Sequence, residues 1–319
     1  MKLISVITPC YNEEENVQEV YSQVREVFQH LPNYTYEHIF IDNASKDKTV
    51  PLLKEIAKND KNVRVIVNAR NFGPVRSPYH ALFQARGDAI IGIVADLQDP
   101  PSMIVDYIKK WEEGSKMVVS VKRQSEEGPV MRAVRSVYYN LIASVADVPQ
   151  LKHCTGSGLY DRSVVEILKR FHEPYPYFRG LITEIGFDIA TIEYNQPKRK
   201  RGLTKNNLYT LYDMAMLGFV NHSKVPLRLS AFVGFVVGAL SLLIAFFYLI
   251  YKIVFWRSFE VGLAPVVIGL FFFSAVQLFF IGIIGEYIGA IYTQVKNRPL
   301  VIEKERVNFE PEDREGGQN

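Results

Sequence analysis

Two kinds of hydrophobic period alternate over the first 195 residues. Short apolar runs rich in β-branched residues fall at Leu3–Thr8, His38–Asp42, Val63–Val67, Ala89–Ala95 and Met117–Val121. Between them, Glu13–Phe28, Lys46–Lys58, Ser77–Ala85 and Ser102–Trp111 carry apolar residues at helical spacing. Strands in regular alternation with helices predict an α/β fold, a mostly parallel sheet with helices on both faces. Ligands of such sheets bind beyond the carboxyl ends of the strands, so the polar residues after each run are the ones to inspect.

From about Gly128 the pattern turns helical, with a helix expected over Val130–Ala146. Leu203–Val220 places Leu208, Leu211, Tyr212, Ala215 and Phe219 at helical spacing behind a basic start, which predicts an amphipathic helix on a membrane surface. Leu229–Tyr251 then runs 23 residues without a charge and Val261–Gly285 another 25. At ~1.5 Å per residue, each is long enough to cross a ~30 Å hydrocarbon layer. The chain therefore divides into an α/β domain at 1–200, a juxtamembrane amphipathic helix at 201–226, two spans at about 229–254 and 261–287 within 227–295, and a tail at 296–319. Glu303–Asn319, charged and ending in glycines, reads as disordered.

Charge adds an orientation. Lys224, Arg228, Lys296, Arg298, Lys304 and Arg306 flank the outer ends of the two apolar runs, whereas the connection Phe255–Glu260 holds only Arg257. The positive-inside rule places both termini and the α/β domain in the cytoplasm, on a multi-pass protein of the cytoplasmic membrane. The formal net charge of +3 is too small to imply a nucleic-acid partner. Two cysteines, Cys10 and Cys154, suggest neither a disulfide framework nor a zinc site, which fits a reducing compartment. The apolar stretch in MKLISVITP is too short for a signal peptide. The apolar face of the last helix leaves room for a homo-oligomer.

The chemistry gathers where the strands end. The first run closes on Thr8-Pro9-Cys10-Tyr11-Asn12-Glu13, the second on Asp42-Asn43-Ala44-Ser45, and the fourth leads to Asp96-Leu97-Gln98-Asp99-Pro100-Pro101. Carboxylates collected at one sheet edge repel an anionic substrate unless a divalent cation intervenes. Asp96 and Gln98, at i and i+2 on an extended segment, are hard oxygen ligands suited to Mg²⁺ or Mn²⁺ bridging a pyrophosphate. A cation there takes up the charge that develops on a departing diphosphate.

ITPCYNEEENV, IFIDNASKDKT and VADLQDPP, in this order, resemble the glycosyltransferase family 2 (GT-A) pattern. With PKRKRGLTK and the two apolar runs, the resemblance narrows to polyisoprenyl-phosphate glycosyltransferases, among them bactoprenol glucosyltransferases and dolichol-phosphate mannose synthases. It covers roughly residues 3–295. It implies that Pro9, Tyr11, Glu13, Asp42 and Asn43 hold the nucleotide and that Asp96 and Gln98 bind the metal; the basic loop with Arg199 and Lys205 either closes on the diphosphate or meets anionic lipid headgroups. Arg123, Arg132 and Arg135, with Ser157, are the acceptor-phosphate candidates, since a guanidinium donates two hydrogen bonds to phosphate at once. Relatives often carry an aspartate where Val94 stands and another where Ser157 stands. Asp161 is the nearest carboxylate left as base and Glu184 another candidate; the alternative role of Asp161 is to cap the helix that begins at Ser163. The implied reaction is inverting transfer of a hexose, glucose from UDP-glucose, to undecaprenyl or another polyisoprenyl phosphate. GDP-mannose or a UDP-aminosugar is the alternative donor, and an inactive membrane scaffold the alternative of another class.

Overall fold

The computed structural model describes residues 1–122, 154–196, 223–255, 263–296 and 298–310. Four parallel strands, β1 (Lys2–Cys10), β2 (Tyr34–Asp42), β3 (Val63–Asn68) and β4 (Ala89–Gly92), alternate with helices α1 (Val17–Gln29), α2 (Thr49–Asn59) and α3 (Gly73–Gln84). Helix α4 (Met103–Glu112) leads to β5 (Met117–Lys122). After the segment 123–153 come β6 (Cys154–Asp161), α5 (Arg162–Arg170), α6 (Phe178–Glu184) and β7 (Ile189–Tyr194). With a last strand, β8 (Glu303–Val307), the eight strands among the described residues form one sheet in the order β7-β5-β6-β4-β1-β2-β3-β8. Only β6 and β8 run against the rest, so the expected mostly parallel α/β sheet is present.

Burial explains the arrangement. One face packs Val17, Val20, Leu53, Ile104 and Tyr107 of α1, α2 and α4 against Ile4, Val6, Phe40 and Val65. The other packs Tyr79, Leu82, Val164, Leu168 and Leu181 of α3, α5 and α6 against Ile39, Ile41, Ile66 and Ile90. A sheet covered on both faces needs apolar residues at successive positions, and β3 is buried at all of its positions. Strand β6 was not legible as a strand, because CTGSGLYD carries two glycines and no alternation. Gly158 is required there: a Cβ on it would sit 2.3 Å from the Val118 carbonyl oxygen. Gly158→Ala is expected to destabilise the α/β domain by about 2–3 kcal/mol, since backbone must shift to admit the methyl. A thermal melt of the variant beside the parent checks this.

Helices α7 (Val225–Val254) and α8 (Leu263–Val295) lie outside this core. Each contains a segment of 30 residues long and apolar enough to cross a membrane, and neither segment is buried inside the protein. Side chains such as Phe232, Phe235, Phe271 and Phe279 are exposed along them, an apolar surface far larger than water tolerates. The second helix continues eight residues beyond the expected end at 287. The Tyr287 hydroxyl donates to the Ser223 carbonyl at 2.7 Å, tying the end of α8 to the start of α7.

The expectation of a disordered tail from Glu303 is overturned. Glu303–Val307 is strand β8, antiparallel to β3 at the sheet edge. Its charges find partners on the domain it meets. Lys54 Nζ lies 2.6 Å from Glu305, His80 Nε2 2.6 Å from Glu303, and Arg306 Nη2 donates to Gln84 at 2.8 Å. Asn308 Nδ2 donates to the carbonyls of Ala57 and Val63 at 2.6 and 2.8 Å. Charge was read as lack of core, whereas on an edge strand it marks the exposed side of a paired backbone. The catalytic-type domain therefore includes residues from both sides of the helical pair.

Candidate active site at the carboxyl edge of the sheet

Four turns leave the carboxyl ends of β1–β4, and each contains a residue in the left-handed region: Asn12 (φ 54°), Ala44 (φ 61°), Gly73 (φ 89°) and Leu97 (φ 57°). Outside glycine this conformation costs roughly 1–3 kcal/mol and persists only where surroundings over-determine it. The turns supply those restraints to one another. Asn12 N donates to Ser45 Oγ at 2.8 Å, and Lys46 N to Asn12 Oδ1 at 2.8 Å. Glu13 N donates to Thr49 Oγ1 at 2.8 Å, and Lys48 N to Glu14 Oε2 at 2.9 Å. The β1 and β2 turns are thus interlocked, with Pro9, Tyr11 and Glu13 half-exposed beside them.

Asp42 is fully buried, its two oxygens accepting from the backbone nitrogen (2.9 Å) and the hydroxyl of Ser45. Burial pushes its carboxyl above the usual range, against the pull of the Ser45 bonds. A base reaches Asp42 only if Ser45 gives way. Asn43, expected at the nucleotide, uses its side chain as an internal brace. Its Nδ2 donates to Asn71 Oδ1 (2.9 Å) and the Gly73 carbonyl (3.0 Å), and its Oδ1 accepts from Phe72 N (2.9 Å) and Asn68 (3.2 Å). With its amide saturated, it fastens the β3–α3 turn to the end of β2. Cys10 is no nucleophile: burial, and then the negative charges of Asp42, Glu13 and Asp47, push its thiol well up. The same charges show that this edge is electronegative.

Beyond β4 the chain is a turn rather than the extended segment expected, with Val94, Asp96 and Gln98 half-exposed and Ala95, Leu97 and Asp99 buried. The two hard-ligand candidates are therefore both accessible at this turn, with Leu97 buried between them. Asp96 Oδ1 accepts from Gln98 N at 3.1 Å, which aims the carboxylate along the turn. Among the described residues no group of three His, Cys, Asp or Glu side chains is placed to hold a metal ion. A site of one carboxylate and one amide still fits Mg²⁺ or Mn²⁺, which take one or two carboxylates and complete their shell with phosphate oxygens and water.

Asp161, the expected base, lies away from this edge. It pairs with Ala89, at the amino end of β4, and so lies on the opposite edge of the sheet from Asp96. Its Oδ1 accepts from Ser163 N at 2.9 Å, and its Oδ2 from Trp111 Nε1 at 2.8 Å. It is the N-cap of α5, the alternative its sequence position also allowed. Ser157 does reach the active edge, where its hydroxyl donates to Asp99. Asp99, three positions after Asp96, is given no role by the sequence. Its i+3 spacing from Asp96 was visible, but its partners on β6 and β7 were not. Arg123, Arg132, Arg135, Arg199 and Lys205, with the helices expected over Val130–Ala146 and Leu203–Val220, lie outside the described residues.

Comparison with known proteins finds relatives that match over nearly the whole chain. A bactoprenol glucosyl transferase derived from the SfII prophage of Shigella flexneri is 35% identical over 303 residues, covering 94% of this chain and 97% of that protein. A prophage bactoprenol glucosyl transferase homologue of Escherichia coli K12 is 33% identical, covering 94% and 98%. Among solved structures, glucosyl-3-phosphoglycerate synthase of Mycobacterium tuberculosis with UDP is similar at TM-score 0.46 and 22% identity, over 69% of this chain and 78% of that one. The mannosyltransferase of Pyrobaculum calidifontis with GDP-mannose and Mn²⁺ gives TM-score 0.41 and 17% identity, over 92% and 86%. Residues 5–168 match Glycosyl transferase family 2, and with relatives this similar over nearly its whole length the chain is a glycosyltransferase that belongs to that family.

Proposed function

We propose that the protein transfers glucose from UDP-glucose to a polyisoprenyl phosphate, undecaprenyl phosphate above all, at the cytoplasmic face of the membrane, with inversion at the anomeric carbon. The observation that carries this is a single junction. An electronegative strand edge presenting Asp96 and Gln98 belongs to the same sheet that the chain rejoins through β8, directly after two unburied apolar helices. Because residues on both sides of the helical pair enter one sheet, both of its outer ends lie on the domain's side. The flanking Lys224, Arg228, Lys296 and Arg298 support the cytoplasm as that side. The lipid acceptor follows from the helices and from the bactoprenol named for the relatives; glucose follows from those names alone.

In this reading a non-ester oxygen of the lipid phosphate attacks the anomeric carbon. The carbon–oxygen bond to the nucleoside diphosphate breaks on the opposite face, leaving a β-linked lipid-phosphate sugar. Phosphate has its second pKa near ~6, so the acceptor is already largely ionised and needs placing more than deprotonation. That removes the need for a base at Asp161. Mg²⁺ or Mn²⁺, held by Asp96 and Gln98, supplies charge neutralisation for the departing diphosphate. Pro9, Tyr11 and Glu13 border the nucleotide crevice. Arg199 and Lys205 close it, and Arg123, Arg132 and Arg135 receive the acceptor phosphate.

The test is turnover of a panel of radiolabelled UDP- and GDP-sugars with extracted polyisoprenyl phosphate. Label in lipid from UDP-glucose supports the reading; label from GDP-mannose or a UDP-aminosugar moves the donor, and none from any sugar makes the chain a scaffold. In the same assay Arg132→Lys is expected to raise the apparent KM for lipid phosphate about five- to tenfold, because the charge stays and the two-pronged donor is lost. The KM for the donor sugar stays within about twofold if Arg132 serves only the acceptor phosphate. Unaltered kinetics with a lowered melting temperature would make Arg132 structural.

A further inference from the structure

The loop that presents Asp96 and Gln98 is fastened at its far end by a carboxylate to which the reaction assigns no part. Asp99 is 2% exposed. Its Oδ2 accepts from the Ser157 hydroxyl on β6 and its Oδ1 from the Tyr194 hydroxyl on β7. Beside them the Tyr107 hydroxyl of α4 and the Ser120 hydroxyl of β5 bond to each other, so a layer of polar side chains lies beneath the loop. Burying a carboxylate is costly unless charge-assisted hydrogen bonds compensate it, and two hydroxyl donors on separate strands do so here.

What this layer holds is a strained turn. Leu97 stands between Asp96 and Gln98 in the left-handed region at φ 57°. On one side of it Asp96 accepts from Gln98 N. On the other, Asp99 is pinned to β6 and β7, and between them the Leu97 side chain is sunk in the core. Release of Asp99 lets the turn relax to an ordinary backbone conformation, which changes the orientation of Asp96 and Gln98 relative to each other.

We propose that Asp99 is a positioning residue: pinned by Ser157 and Tyr194, it keeps Leu97 left-handed and so holds Asp96 and Gln98 aimed together at a metal-bound diphosphate. This rests on the reading of Asp96 and Gln98 as the metal-binding pair. It assigns Ser157 a different task from the acceptor side, as a donor that steadies the metal loop from β6.

The experiment is calorimetric titration of Mn²⁺·UDP into the full-length protein in detergent, with melting temperature and steady-state kinetics on the same preparations. Asp99→Asn is expected to weaken Mn²⁺·UDP binding about five- to tenfold, and Tyr194→Phe about two- to threefold, since the first removes the charge behind two hydrogen bonds and the second removes one donor. The Mn²⁺ concentration for half-maximal activity rises by the same factors, while kcat at saturating metal falls less than about twofold. The exchange variant D99S/S157D restores the loop-to-β6 bond with donor and acceptor reversed, and is expected to recover affinity to within about threefold of the parent. A lowered melting temperature in Asp99→Asn and Tyr194→Phe with unaltered Mn²⁺·UDP affinity would make Asp99 a strut of the fold and overturn the inference. A fall in kcat with affinity unaltered overturns it too, by placing Asp99 on the reacting atoms. If the unsubstituted protein does not bind Mn²⁺·UDP, the metal reading fails and the inference falls with it.

Discussion

Asp96→Asn is expected to lower turnover at least about tenfold, equivalent to ~1.4 kcal/mol of barrier, while the melting temperature stays within about 2 °C of the parent. The substitution keeps the shape of the side chain and the acceptor for Gln98 N, but removes the charge that holds a cation at the strand edge. Asp96 is half-exposed, so its amide meets no new desolvation cost and the fold has little reason to respond. Chelation by EDTA should reproduce the loss in the unsubstituted protein, and Mn²⁺ or Mg²⁺ should restore it there but only poorly in the variant. Near-normal turnover in EDTA, or in Asp96→Asn, would sink the metal-dependent reading.

The second large effect concerns the returning strand. Truncation before Ile302 removes β8, the Glu303 cluster and the Asn308 bonds, and leaves β3 as a bare edge. The truncated protein is expected to lose several degrees of melting temperature and to aggregate more readily, as an unpaired hydrophobic edge does. A subtler form of the experiment uses acid. Burial by itself raises the Glu303 carboxyl, but hydrogen bonds from His80 and Arg306 outweigh it and bring it from 4.5 down to about 2. A carboxyl lowered on docking stabilises the docked state above its free value and loses that contribution as pH falls towards about 2. The difference is of the order of 3 kcal/mol. Amide exchange across Glu303–Val307 should therefore accelerate between about pH 4.5 and 2, and Glu303→Gln should flatten this dependence. Exchange that is equally slow at both ends of the range would mean that the backbone ladder, not the ion cluster, secures the strand.

The parallel half of the sheet was legible because its signals are local. The β-branched runs of β1–β4 and the helical spacing of α1, α2 and α4 each declare themselves within one window. The carboxylate edge followed, since strand direction alone places Asp42 and Asp96 at the same end. What stayed hidden depends on partners far along the chain. Asp99 shows no role until Ser157 and Tyr194 are brought to it. Asp161 is a plausible base until antiparallel pairing carries it to the opposite edge. Asn43 looks like a ligand because nothing in its neighbourhood reveals Asn71 and Phe72 as the groups that saturate it. The misread tail has the same cause: Glu303 and Arg306 are unfavourable in isolation and favourable only opposite His80 and Gln84.

The position of β8 also sets an order of events during synthesis. Its partner β3 emerges from the ribosome more than 200 residues earlier, and between the two lie both apolar helices. The α/β domain must therefore wait with an open edge while the helical pair is made, and it can close only after the last strand has left the tunnel. Contacts this distant are slow to form, and an unpaired edge is the most aggregation-prone part of a nascent sheet. On the proposed reading of the helices as membrane spans, closure serves as a check on insertion: a chain whose second helix failed to return would deliver β8 to the wrong side of the bilayer. Its domain would remain seven-stranded, exposed along β3, and open to proteolysis.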